Sequence, residues 1–212
     1  METGDADDRS ADATPRPGDA DDRNPTQQAI MEATCEAMVT HGYADLTIQR
    51  IADCFPKSKS LLYYHYDAKA DIILDFLSYL LDEFERELDA DQPAEPREAL
   101  EEVFDLLAPR TLDDDERALR VAMIELQAQA ARDEQFRERY ADLTAGLRAA
   151  LRRAVADGVE AGVFRSVDPD REATHLFSML LGASVQQATV DPDATERVRA
   201  VIDDYVERAL VA

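Results

Sequence analysis

All three lysines of this 212-residue chain, Lys57, Lys59 and Lys69, fall within thirteen residues; every other basic side chain apart from its three histidines is arginine. Around them stand the hydroxyls of Thr47, Ser58 and Ser60 and the run Tyr63, Tyr64, His65 and Tyr66. Ammonium groups donate in three directions, and hydroxyls both donate and accept. That combination suits phosphate oxygens and the edges of nucleic-acid bases. Lysines on an exposed helix are ordinarily just solvated, but their clustering in so lysine-poor a chain favours contact with an anion. No nucleophile motif, glycine-rich phosphate loop or metal-ligand spacing is present, so no enzymatic activity, cofactor or metal is expected.

Short helices must position these groups. Thr47 can cap one, with Ile48, Ile51, Ala52 and Phe55 on its inner face, and Pro56 blocks its continuation. Ser58 can cap a second, carrying Leu61 and Leu62. Two short helices joined by a tight turn form the layout of a DNA-reading helix-turn-helix. A preceding helix is expected from Pro25, capped by Asn24 and stopped at His41-Gly42, with Ile30, Ala33, Ala37 and Met38 inward. A long fourth helix, capped by Asp67, should run to about Ala90.

Beyond a proline-broken loop at 89–96, only helical patterns follow. They run from about Arg97 to Ala108 and, behind an Asp113/Glu116 capping-box pair, to about Arg132. Others run from Asp133 to about Ala161, from Asp168-Pro169 to about Thr189, and from Asp193 onward. The fold class is therefore all-α, with a helix-turn-helix head over 25–70 and a helical body over 71–212. Residues 1–24 are acidic and nearly free of large apolar side chains, which predicts a disordered tail. No apolar run approaches a membrane span and no signal-peptide pattern opens the chain, so a cytoplasmic protein without membrane contact is expected. Cys35 and Cys54 make no disulfide framework.

The run from Leu46 to Leu74 resembles the DNA-binding signature of the tetracycline-repressor (TetR) family. It matches without a gap at Thr47, Ile51, Ala52, Ser58, Leu62, Tyr63, His65, Tyr66, Lys69, Asp71 and Ile72. It departs at Phe55-Pro56-Lys57, where that family usually has Ala-Gly-Val, and at Ser60, which replaces a frequent glycine. A looser likeness covers Gly162-Val-Phe164 and Asp168-Pro169. The resemblance implies a DNA-binding regulator, a repressor released from a palindromic operator by a small organic effector. The DNA-contacting residues are then Thr47 at a phosphate, Gln49 and Arg50 on the outer face of the second helix, Lys57, Ser58, Lys59 and Ser60 opening the recognition helix, Tyr63, Tyr64 and His65 near phosphates, and Lys69 as a phosphate clamp.

Bodies of that family usually hold an effector, and Phe104, Leu107, Met123, Leu126, Phe136, Tyr140 and His175 are candidates to line such a cavity; equally, they are ordinary core. Phe177, Leu180, Leu181 and Val185, with Val198, Ile202, Tyr205 and Ala209, give the last two helices apolar faces suited to a four-helix homodimer interface, which the resemblance also implies. The partners expected are double-stranded DNA with an inverted repeat, a second copy of the chain and an effector. A helical protein-protein adaptor is the alternative, and it gives no reason for the lysines to gather on one short helix.

The formal charge of −23 arises from 46 acidic residues against 23 basic ones. An acidic surface keeps a protein soluble. The surplus of aspartate and shortage of lysine also resemble proteins of salt-accumulating haloarchaea, and that reading is favoured because the surplus persists along the whole chain.

Overall fold

Helix boundaries follow the polar punctuation of the sequence. The computed structural model describes residues 24–90 and 95–211, so the expected tail at 1–24 lies, apart from Asn24, outside the described residues. Asn24 caps α1 (Pro25–His41) by accepting the Thr26 N–H at 3.0 Å, and Gly42, at φ +70°, ends it. Thr47 caps α2 (Ile48–Cys54) and Ser58 precedes α3 (Lys59–His65). Asp67 does not hold the cap position expected of it. The fourth helix, α4 (Lys69–Ala90), starts at Lys69, and Asp71 in its first turn accepts the Ala68 N–H at 3.2 Å.

In the body, α5 (Pro96–Leu107) is followed by α6 (Asp114–Ala130), whose Asp113–Glu116 capping box has both reciprocal bonds at 2.8 Å. Asp133 and Asp168 cap α7 (Glu134–Glu160) and α8 (Pro169–Thr189) through paired backbone N–H bonds. α9 (Ala194–Tyr205) runs into a wider turn at Val206–Leu210, where the Val211 N–H reaches the Val206 carbonyl. Among the described residues β-pairing is confined to one isolated bridge between Phe164 and Val211, and no helix is long and apolar enough to cross a membrane.

The turn between α2 and α3 explains how it does without glycine. Phe55 (φ −75°, ψ 122°) and Ser58 (φ −68°, ψ 135°) are both extended, and no non-glycine residue among those described has positive φ. Proline at position 56 is compatible with such a path. Phe55 is 6% exposed, so the turn is held from within by a buried ring.

Two apolar cores hold the molecule. The first joins Ile30, Met38, Ile51 and Leu62 of α1–α3 to Ile72, Ile73, Phe76 and Leu77 of α4. It continues without a break to Ala122 and Leu126 of α6 and Phe136 and Leu143 of α7. The second gathers α5, the later half of α7, α8 and α9 around Phe104, Leu151, Leu176, Leu180 and Ile202. Both α4 and α7 run from one core into the other. The apolar cluster of α1–α3 thus extends past residue 70 into α4, α6 and α7.

Two further features lock the second core. At Gly158 an added Cβ would stand 2.0 Å from the Phe164 ring, so only glycine lets that ring fold back onto α7. Arg199, 1% exposed, crosses from α9 to α5, where Asp105 (2.8 Å) and Glu101 (2.5 Å) accept from it and the Phe104 ring lies 5.2 Å away. A fully buried cation is costly without such partners.

Candidate nucleic-acid interface and ligand cavity

The first turn of α2, all of α3 and the start of α4 bring the expected DNA-contacting residues to one end of the molecule. Thr47, Gln49, Lys57, Ser58, Lys59, Ser60, Tyr63 and Tyr64 are exposed there, Tyr64 to 84%, while Arg50, His65 and Lys69 are half-buried. Leu62 and Tyr66 face inward, and the Tyr66 hydroxyl donates to Asp75 at 2.7 Å. An aromatic side chain as open as Tyr64 buries little surface in the free protein. Residues 25–70 carry Arg50, Lys57, Lys59 and Lys69 against Glu32, Glu36, Asp45, Asp53 and Asp67. With four basic and five acidic side chains this end is close to neutral in a chain of formal charge −23, so it repels phosphate little.

Several of these groups are engaged with one another. Thr47 accepts the Arg50 N–H at 3.2 Å, and the Arg50 guanidinium donates to the Asp45 carbonyl. Asp53, which the sequence pattern did not single out, accepts from the Gln49 amide at 2.9 Å and pairs with Lys59. Tyr63 donates to Gln49 at 3.3 Å, so one polar chain ties the outer face of α2 to that of α3. The hydrogen bonds from Lys59 and Gln49 hold the Asp53 carboxyl below its usual pKa. Lys57 reaches back to α1, donating to the Pro25 carbonyl at 3.3 Å and the Thr26 hydroxyl at 3.1 Å. Tyr64 and His65 meet edge to face, their centroids 5.6 Å apart.

Lys69 bonds to the α1–α2 turn through the Tyr43 carbonyl. The same turn is held from the body: Glu125 of α6 accepts the backbone N–H groups of Tyr43 and Ala44. The opposite side of α6 borders a cavity of about 310 Å³, to which it contributes Arg120, Met123, Ile124 and Gln127. Leu80 and Phe84 of α4, Tyr140 and Leu147 of α7, and Phe177 and Leu181 of α8 close it.

Of the side chains expected at an effector cavity, Leu107, Met123 and Tyr140 line this one. Phe104, Leu126 and Phe136 do not; they are buried in the two cores. His175 is exposed on α8 and packs edge to face on Tyr205, 4.8 Å between centroids, away from the cavity. The sequence pattern missed Arg120, Leu147 and Ser184, since helical periodicity marks which face is inward but not where facing helices stand apart.

Residues 30–76 match the model for bacterial regulatory proteins of the tetR family, and residues 96–211 match that for the C-terminal part of BetI-type transcriptional repressors. A solved TetR transcription regulator from Haloarcula marismortui is 32% identical, with a TM-score of 0.77 over 87% of this chain and 98% of that one. The chain belongs to the TetR family of transcriptional regulators. No curated protein sequence matches it. Two more distant structures share the fold. A transcriptional regulator from Saccharomonospora viridis in complex with choline is 24% identical (TM-score 0.72, 88% and 97% of the two chains). FadR from Bacillus subtilis in complex with stearoyl-CoA is 19% identical (TM-score 0.63, 83% and 95%).

In this TetR-family regulator α2 and α3 lie in the part matched by the tetR-family model, and α5 to α9 in the part matched by the C-terminal one. The faces of α8 and α9 read as a dimer surface are largely turned inward. Leu180 and Ile202 are fully covered within the protomer, and Phe177, Leu181 and Val185 line the cavity. Val198, Tyr205 and Ala209 are half-buried. The outward side of these helices instead carries Ser178, Gly182, Gln186, Ala200 and Val201, the last 58% exposed. Leu180 and Ile202 belong to the second core, where α8 packs on α9.

Proposed function

We propose that this protein is a non-catalytic, cytoplasmic repressor that binds an inverted-repeat operator as a homodimer and leaves it when a small organic effector enters the body. Each protomer presents Ser60, Lys59, Tyr63 and Tyr64 of α3 to one half-site, with two heads about one DNA turn apart. Thr47, Lys57, Ser58 and Lys69 are assigned to phosphates. The second copy docks on the outward sides of α8 and α9, with Val201 near the middle.

The observation that carries this reading is that α6 touches both sites at once. Its Glu125 holds the Tyr43–Ala44 turn of the head, and its Met123 and Ile124 wall the cavity. A ligand that favours one position of α6 thereby favours one position of the head. An adaptor working only through protein contacts leaves the exposed lysine-and-hydroxyl face without a role. The test is a mobility shift in molar KCl with DNA from upstream of the protein's own gene. A shift abolished by scrambling an inverted repeat supports the reading; equal binding to scrambled DNA, or a monomer by sedimentation at micromolar concentration, overturns it.

A further inference from the structure

The cavity is apolar on most sides, yet one wall carries Arg120. Its guanidinium donates to the Leu107 carbonyl at 2.6 Å, to the Leu106 carbonyl at 3.2 Å and to the Ser184 hydroxyl. Those bonds use three of the five N–H groups of a guanidinium. The Nε–H and one Nη2–H have no partner among the described residues. Among the described residues no carboxylate pairs with it, whereas the more deeply buried Arg199 has two. Burial draws the Arg120 pKa down, with only the charge of Glu116 opposing. A largely desolvated cation with free donors on a cavity wall gains from an anion placed there.

Glu116 also lines the cavity, but it is exposed and one of its carboxylate oxygens already accepts from the Asp113 N–H. A cationic ligand would find that rim group and face Arg120 behind it. We infer that the cavity takes an amphipathic carboxylate, with its aliphatic or aryl body among Leu80, Phe84, Met123 and Leu147 and its carboxylate on Arg120. This inference rests on the reading of the body as the effector domain and names the class of effector. The competing role for Arg120 is to close the C-terminal carbonyls of α5 and nothing more.

Calorimetry on the full chain in molar KCl, with octanoate, octanol and octyltrimethylammonium, separates the two. Octanoate should bind about tenfold or more tightly than octanol, the difference being a charge-assisted hydrogen bond, and the ammonium should not bind. Glu116→Gln keeps an acceptor for the Asp113 N–H while removing the opposing charge, so octanoate should bind this variant more tightly. Arg120→Gln should abolish the preference for octanoate over octanol. Should that variant fail to fold, the wild-type series and Glu116→Gln decide. Equal binding of octanol and octanoate, preference for the ammonium, or binding of none of the three overturns the inference. Octanoate that binds without weakening the operator complex instead sinks release by effector and leaves the ligand class standing.

Discussion

The ammonium of Lys69 lies 4.4 Å from the centroid of the Tyr43 ring and donates to the Tyr43 carbonyl at 3.3 Å. In the free protein this lysine clamps the α1–α2 turn to the start of α4, and burial lowers its pKa. Lys59, on open α3, has no comparable packing. Lys69→Ala should therefore lower the thermal midpoint and weaken binding to all DNA alike. Lys59→Ala should leave the midpoint unchanged, cost about 1–3 kcal/mol at the operator and relax preference at one position of each half-site. Identical behaviour of the two variants in melting and in binding would remove this division of roles.

Glu125 meets the N–H groups of Tyr43 at 3.0 Å and Ala44 at 3.2 Å. Glu125→Ala leaves both donors without that carboxylate, and the expected loss is about 1–3 kcal/mol of stability. The more telling effect is on coupling: the variant should still bind operator and effector while the effector loses much of its hold on operator affinity. Linkage requires DNA to lose the same factor of influence on the effector. Measuring both affinities with and without the other ligand checks this, and unchanged coupling would exclude α6 as the connecting element.

Asp53 pairs with Lys59 on the exposed face of α2 and α3. Its pKa is depressed in the folded state, so the pairing is present above the ordinary carboxylate value near 3.8 and is lost as pH falls through the lower, folded value. At neutral pH the pair is intact and exposed, and exposed pairs stabilise little. Asp53→Asn should accordingly tighten binding to random DNA with little change in melting. A fluorescence titration against non-operator DNA at low salt reads it; weaker binding would be the contrary result.

Tyr205 donates to Glu172 at 2.5 Å, and burial together with that carboxylate raises its pKa from 10.0 to about 12. Because the folded value is the higher one, the contribution is complete below pH 10 and disappears as pH rises toward 12. A spectrophotometric titration should show a late-ionising tyrosine that Tyr205→Phe removes. Its persistence in that variant would place the late ionisation elsewhere, for instance at Tyr140, which burial also raises.

At molar ionic strength the Debye length is about 3 Å, so repulsion between the acidic body and DNA is nearly absent. With few cations at the interface, counterion release contributes little, and the salt slope should fall below about 0.9 per phosphate contact. Specific binding is expected to survive in molar KCl, carried by hydroxyls, tyrosine tips and short-range lysine contacts. A titration of operator affinity against KCl, with circular dichroism following the fold, checks this. Loss of binding by a few hundred millimolar with the dimer still folded would count against salt adaptation.

The sequence alone determined the helices and most of their ends, because caps and stops act over a few residues. Asn24-Pro25, Thr47, the Asp113–Glu116 box and Asp168-Pro169 all mark boundaries found in the structure. It also determined α3, whose residues are contiguous in the chain. What only the tertiary structure decided lies between helices. Periodicity identifies a buried face but not which neighbour covers it, so Leu180 and Ile202, read from the sequence as dimer surface, are covered within the chain where α8 meets α9. The cavity depends on where α4, α6, α7 and α8 fail to meet, which is why Leu126 and Phe136 became core and Arg120 became its wall. The Glu125–Tyr43 bond joins residues 82 positions apart, a relationship that no local pattern of side chains encodes.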